Sequence, residues 1–225
     1  MAIHLKSTKN WASSGVKVLV YGQAGAGKTS LITTLPNPVI LSAEGGLLSI
    51  ADADVPYIEI RDITSMREVL HWLTESAEAK NFQSVALDSI SEIAEVVLNI
   101  EKKKTKDSRQ AYGVMQEQMS EIIRSFRDLA VLHVYMTAKL EKTQDEMGRF
   151  MYSTYMPGNK MGPQLPYFFD EVLALRVEQD SDGVLQRALM CQSDGCWSAR
   201  DRSGKLEAWE SPNLDAIIKK IEASK

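Results

Sequence analysis

Hydrophobic positions along the chain switch between two periods, and the switches mark the elements. Val16 to Tyr21 (VKVLVY) is a short β-branched run leading into glycines, the pattern of a buried parallel strand that ends at a ligand. Lys28 to Leu35 reads as a helix closed by Pro36 and Pro38, and Val39 to Ser42 as a second strand. Tyr57 to Ile60 reads as a short strand. Ser65 to Lys80 then carries Met66, Val69, Leu70 and Leu73 at helical spacing, and Val85 to Asp88 is another apolar run. Ile90 to Lys103 and Val114 to Leu129 have the stripes of surface helices, through Ile93, Val96, Val97 and Ile100 and through Met115, Met119, Ile122, Ile123 and Phe126.

Val131 to Met136 makes a further strand. The polar, Gly- and Pro-bearing stretch that follows, 137–166, reads as a long loop or hairpin. Glu171 to Val177, Val184 to Gln192 and Trp197 to Arg200 read as a β-meander, and Leu214 to Glu222 as a closing helix. Strands alternating with helices and followed by antiparallel strands imply an α/β fold. Its mostly parallel sheet is flanked by helices and extended at one edge by the meander.

Composition narrows this picture. At 225 residues, with 44% hydrophobic and 25% charged side chains and no repeat or linker, the chain is expected to form one domain, with residues 1–15 as an N-terminal extension. No run has the length of a membrane span and the N-terminus lacks a signal-peptide core, so a cytoplasmic location and no membrane partner are expected. Cys191 and Cys196 have no second ligand pair nearby and read as reduced thiols. A net charge of −4 confines any nucleic-acid site to a local patch.

Chemistry concentrates first in Gly22-Gln23-Ala24-Gly25-Ala26-Gly27-Lys28-Thr29, followed by Ser30. The spacing is Gly, any four, Gly, Lys, Thr, placed after a strand and before a helix, and it defines a loop that cradles a nucleoside triphosphate. Glycines let the backbone wrap the phosphates, and the amides and helix start present positive charge to them. Lys28 is positioned to neutralise the β and γ oxygens, and Thr29 offers a hydroxyl to Mg²⁺ with Ser30 in support. ATP and Mg²⁺ are the expected cofactors.

Two carboxylates fall at strand ends. Asp88 follows Val85-Ala86-Leu87 and reads either as the second metal-holding residue or as a cap of the next helix. Glu44, after the second strand, reads either as the base that deprotonates the attacking water or as a solvated loop residue. Tyr21, Trp11 and Trp197 read as packing residues rather than as a stack for a base.

The order phosphate loop, Ser42-Ala43-Glu44, Leu87-Asp88-Ser89 resembles the ATPase core of the RecA-like group. Over residues 17–221 the chain is similar to phage-encoded RecA-like ATPases of the Sak type, a family proposed as single-strand annealing recombinases with an AAA-type ATP-binding domain. Ala111-Tyr112-Gly113, Thr137-Ala138-Lys139, Pro157-Gly158-Asn159-Lys160, Phe169-Asp170-Glu171-Val172 and Ala199-Arg200-Asp201-Arg202-Ser203-Gly204 carry that likeness. It implies Glu44 as catalytic base, Lys28 as charge neutraliser and Asp88 on the metal. RecA ends the strand equivalent to Val131 to Met136 with a Gln, whereas this chain has Thr137.

The resemblance also implies two DNA-binding segments. Lys102, Lys103, Lys104 and Lys106 through Arg109 and Tyr112 combine charge with an aromatic ring, or else form a solvated helix end. Arg149 and Lys160 belong to the second segment, which also holds acidic residues fit for a hairpin tip. Cations that could reach a neighbouring subunit's phosphates are Lys139, Lys142, Arg200 and Arg202, with surface salt bridges as their bland fate. The expectation is an ATPase that binds single-stranded DNA as a homo-oligomer in phage recombination or replication, in the host cytoplasm, with a single-strand-binding or replication protein as a further partner. A nucleotide-switched assembly module and a small P-loop kinase are the alternatives.

Overall fold

The structure is a computed structural model and describes residues 14–223, so Trp11 and most of the 1–15 extension lie outside the described residues. Its frame is a sheet of β1 (Lys17–Gly22), β2 (Pro38–Ser42), β3 (Tyr57–Glu59), β4 (Ser84–Asp88), β5 (His133–Gln144), β6 (Phe150–Thr154), β7 (Glu171–Gln179), β8 (Leu185–Met190), β9 (Arg200–Asp201) and β10 (Trp209–Glu210). The path runs β10-β8-β7-β1-β5-β4-β2-β3, with β6 on the extension of β5 and β9 beside the start of β7. From β7 to β3 every neighbour pairs parallel, and the β7–β8, β8–β10, β7–β9 and β5–β6 pairs are antiparallel. The mostly parallel sheet with an antiparallel edge is the architecture that the alternating pattern implies.

Burial on both faces explains the continuous apolar runs. Leu19, Tyr21, Val39, Leu41, Val85, Leu87, Val134 and Met136 face one core. Their alternates Val18, Val20, Ile40, Ala86 and Tyr135 face the other. The first face is covered by α1 (Ile63–Glu75), α2 (Ile90–Lys104) and α3 (Ser108–Arg127), and the second by α5 (Leu214–Glu222) with 3-10 turns at Ser30–Thr34 and Leu47–Ala53. A short α4 (Met161–Gln164) joins β6 to β7.

Several boundaries differ from the sequence reading. The segment after the phosphate loop is a 3-10 turn rather than the expected helix over 28–35. The hydroxyls of Thr33 and Thr34 donate back to the carbonyls of Ser30 and Leu31, and the extended Leu35 precedes Pro36. Helix α3 begins at Ser108, six residues early, because Asp107 caps it by accepting from the Arg109 amide and Gly113 is carried inside the helix. Strand β5 continues to Gln144 and folds back on β6. The tip is an Asp145 turn in which Oδ1 accepts from the amides of Met147 and Arg149, so the first half of the expected loop 137–166 is a hairpin. Trp197 to Arg200 does not form the third meander strand. Only Arg200 and Asp201 pair with β7, and β10 takes the outer edge of β8.

Candidate functional site

Parallel register brings the ends of β1, β2 and β4 to one edge, beside the middle of β5. Gly22 of β1 lies opposite Lys139 of β5, and Ser42 of β2 opposite Asp88 of β4. Leu87 is opposite Met136, so Asp88 and Thr137 follow side by side. Glu44, Lys28 and Thr29 hang from loops that leave these ends. A cavity of about 670 Å³ opens there, lined by the phosphate loop together with Glu44, Asp88, Ser89 and Lys139. The C-terminal edge of an open α/β sheet is where such folds collect ligands.

The loop's geometry needs its glycines. Gly25 and Gly27 have φ of +74° and +104°, and a Cβ on Gly22 would come 2.8 Å from the Leu175 carbonyl oxygen. Lys28 Nζ donates to the carbonyls of Gly22 and Gln23 at 2.9 Å each. Burial pulls its pKa below the ordinary lysine value, against the opposing pull of Asp88 and Glu44. The buried Tyr135 supports the loop from beneath by donating its hydroxyl to the Lys28 carbonyl at 2.8 Å.

Asp88 is the hub of the far wall. It accepts from Thr29 Oγ1 at 2.6 Å through one oxygen and from Thr137 Oγ1 at 2.5 Å through the other. The helix-cap alternative for Asp88 gives way, because the Ser89 hydroxyl takes that task by accepting from the Glu92 amide. That same hydroxyl donates to Glu44 Oε1 at 2.6 Å, so the exposed Glu44 is tied to the start of α2. The peptide between Asp88 and Ser89 is cis.

Thr29 and Asp88 offer a hydroxyl and a carboxylate, a hard oxygen pair suited to Mg²⁺. No group of three or more His, Cys, Asp or Glu side chains that could hold a metal occurs among the described residues. One hydroxyl and one carboxylate fit a cation that keeps waters and takes phosphate oxygens.

The other candidates scatter. Lys139, offered above as a cation for a neighbour's site, lines its own chain's cleft, where Nζ meets Glu92 at 2.6 Å and Glu95 at 3.0 Å. Burial works against its charge, but the two carboxylates outweigh burial and hold its pKa above the ordinary value. Lys142 lies over the Phe150 ring at 3.7 Å on the hairpin, and Arg149 is held by Asp145 at the tip. Arg200 donates to the carbonyls of Pro166 and Phe169, and Arg202 pairs with Asp170. Both flank the start of β7, at the sheet edge opposite the phosphate loop.

The first basic segment is not a loop. Lys102, Lys103 and Lys104 form the last turn of α2, Lys106 lies in a three-residue connection, and Arg109 and Tyr112 sit on α3. Lys104 pairs with Glu101, and Lys102 lies over the half-buried Tyr112 ring at 5.1 Å. A Cβ on Gly158 would come 3.2 Å from Tyr112, which brings the segment bearing the exposed Lys160 against this corner.

Three partners escaped the sequence reading. Thr137 appeared there only as the residue standing where RecA has Gln, and Tyr135 as part of an apolar strand. Arg187 of β8 went unmarked, yet its Nε donates to the Ala26 carbonyl in the phosphate loop at 3.1 Å. Only the sheet order, β8 beside β7 beside β1, carries that information.

A parallel sheet whose strand ends hold a glycine-rich loop, a lysine and a Thr–Asp pair defines a P-loop NTPase fold. The comparison with protein families agrees, since the model described as an AAA domain matches residues 14–203, most of the chain. The chain belongs to this AAA domain family, for which nucleotide binding and ATPase activity are the general expectation. A search of curated proteins finds no match. Among the described residues no helix is long and apolar enough to cross a membrane.

Proposed function

We propose that this chain is a Mg²⁺-dependent ATPase with a RecA-like core, similar to the Sak type, that binds single-stranded DNA as a homo-oligomer during phage recombination or replication. The observation that carries the ATPase reading is the convergence of Lys28, Thr29, Glu44 and Asp88 on one cavity, with Thr29 and Asp88 already in contact at 2.6 Å. In this reading the loop amides and Lys28 hold the β and γ phosphates, and Lys28 turns to them from the Gly22 and Gln23 carbonyls. Thr29 and Asp88 hold the metal, which when bound neutralises charge on the phosphate oxygens. Thr137 fixes the Asp88 carboxylate from behind. Glu44, oriented by the Ser89 hydroxyl, takes the proton of the attacking water. Lys139 stands beside the γ end in the same chain, shared with Glu92 and Glu95.

The DNA part of the reading is supported by the grouping of Lys102, Lys103, Lys106, Arg109 and Lys160 around the α2–α3 corner in a chain of net charge −4. Steady-state ATP hydrolysis, measured with and without single-stranded DNA and with EDTA, tests the whole proposal. The expected result is turnover that EDTA abolishes and DNA stimulates. Turnover indifferent to DNA, with no DNA binding at low salt, removes the recombination role and leaves a nucleotide-switched assembly module.

A further inference from the structure

The triphosphate cleft has a direction. Glu44 and the Thr29–Asp88 pair mark its γ end, so a nucleotide lying in the loop must leave on the other side. There a second cavity of about 410 Å³ shares Gly25, Gly27 and Ser30 with the cleft and is completed by Leu175, Arg187 and Pro212. Its size is in the range that small ligands fill. Arg187 is exposed, comes from β8, and reaches the loop through one bond from Nε to the Ala26 carbonyl at 3.1 Å. Among the described residues its two terminal nitrogens make no further bond.

We infer that this second cavity is the nucleoside subsite and that Arg187 is its principal holding residue, clamping the outer face of the phosphate loop and laying its guanidinium on the base. This rests on the reading of the loop as a nucleotide site. The lining gives the inference a sharper consequence. Pro212, over the buried Leu31 and Leu175, supplies apolar surface, while Ser30 and Arg187 are the only side chains in the lining able to hydrogen-bond. A planar cation beside apolar walls favours any aromatic base over solvent but reads no particular edge. The subsite takes a nucleoside triphosphate of either purine with similar affinity.

Equilibrium binding of ATP, GTP and inorganic tripolyphosphate to the wild-type chain and to Arg187→Ala tests this, with Arg187→Lys and Lys28→Ala as companions. Wild type is expected to prefer ATP to tripolyphosphate and to bind ATP and GTP within about threefold. Arg187→Ala is expected to lose about tenfold in ATP affinity and nothing for tripolyphosphate, with Arg187→Lys recovering little of the loss. Lys28→Ala weakens both ligands. Equal losses of ATP and tripolyphosphate in Arg187→Ala, or none, overturn the subsite, because the residue then only props the loop or does nothing there. A wild type that binds tripolyphosphate as well as ATP also overturns it while the phosphate site stands, and strong preference for one purine refutes the stacking mode. A wild type that binds neither ligand refutes the nucleotide reading itself, and the subsite with it.

Discussion

The C-terminal ends of β1, β2 and β4 with the middle of β5, and the antiparallel edge around β7, β8 and the β5–β6 hairpin, are parts of the same sheet, assembled in different ways. At the strand ends, neighbouring parallel strands run in register, so groups at the same height meet directly, as Ser42 meets Asp88 and Asp88 meets Thr137. The antiparallel edge has its own ladders, β7 with β8 and β5 with β6, and side chains from distant segments tie them together. Trp197 stacks on Tyr152 at 4.3 Å, Arg176 lies over Trp197 at 4.4 Å and over Trp209 at 5.7 Å, and the Tyr21 hydroxyl donates to the Ser198 carbonyl at 2.8 Å with the Tyr152 carbonyl 3.2 Å away. One region follows from topology, and the other from packing that no short stretch of chain encodes. The contrast predicts a division of labour in which damage at the strand ends is chemical and damage at the edge is structural.

The largest effect is expected at the strand ends. Asp88→Asn keeps the shape of the hub but removes its charge, and ATP turnover should fall by about a hundredfold or more in steady-state kinetics. A thermal unfolding curve close to wild type would assign the loss to chemistry.

Next comes a pH effect on the edge side. Glu171 is fully buried at the start of β7 beside Asp201, and burial first, then this neighbour, raises its pKa to about 8. Burial also works against the charge of Asp201, but donors from Ser203, Leu206, Glu171 and Gly204 outweigh it and keep its pKa below the ordinary value. The folded chain thus keeps a proton on Glu171 that the unfolded chain, at its ordinary value of 4.5, releases. The stability gained from this proton is complete below the unfolded value and is lost as pH rises toward about 8, at about 1.4 kcal/mol per pH unit. Denaturant titrations at pH 6 and pH 8 should show this slope in wild type and its disappearance in Glu171→Gln.

Trp197→Ala should then cost about 2 kcal/mol of stability through its lost stacking while leaving ATP affinity within about twofold of wild type. A large change in affinity would break the division between the two regions. The smallest effect concerns the basic corner, where each of Lys102→Ala and Lys103→Ala should lower the slope of log affinity against log salt for single-stranded DNA by about 1 or less.

Legibility in the sequence follows the same contrast. That the loop from Gly22 to Thr29, Glu44 and Asp88 would lie at one end of the sheet could be read directly, because buried strands announce where they end. The closing helix was legible to the residue because Asn213 caps it and Leu214, Ile217, Ile218 and Ile221 repeat at helical spacing. The hairpin was only half legible, since Ala138 and Leu140 still reach the core but Glu141 to Gln144 carry the strand on with polar side chains that lie along β6. Arg187 could not be read at all, because its value depends on β7 lying between β8 and β1. Lys139 could be recognised as a chemical cation, but its place in its own chain's cleft required the carboxylates of Glu92 and Glu95 on α2.

The measurement that bears most directly on the site is ATP binding and ATP turnover, side by side, in Glu44→Gln. Glu44 is exposed and touches the rest of the chain through the Ser89 hydroxyl, so the variant should fold and bind ATP with Mg²⁺ as wild type does. Turnover should fall by about a hundredfold. Hydrolysis at the wild-type rate would contradict the assignment of Glu44 as the base, and with it the claim that these strand ends form a hydrolytic site.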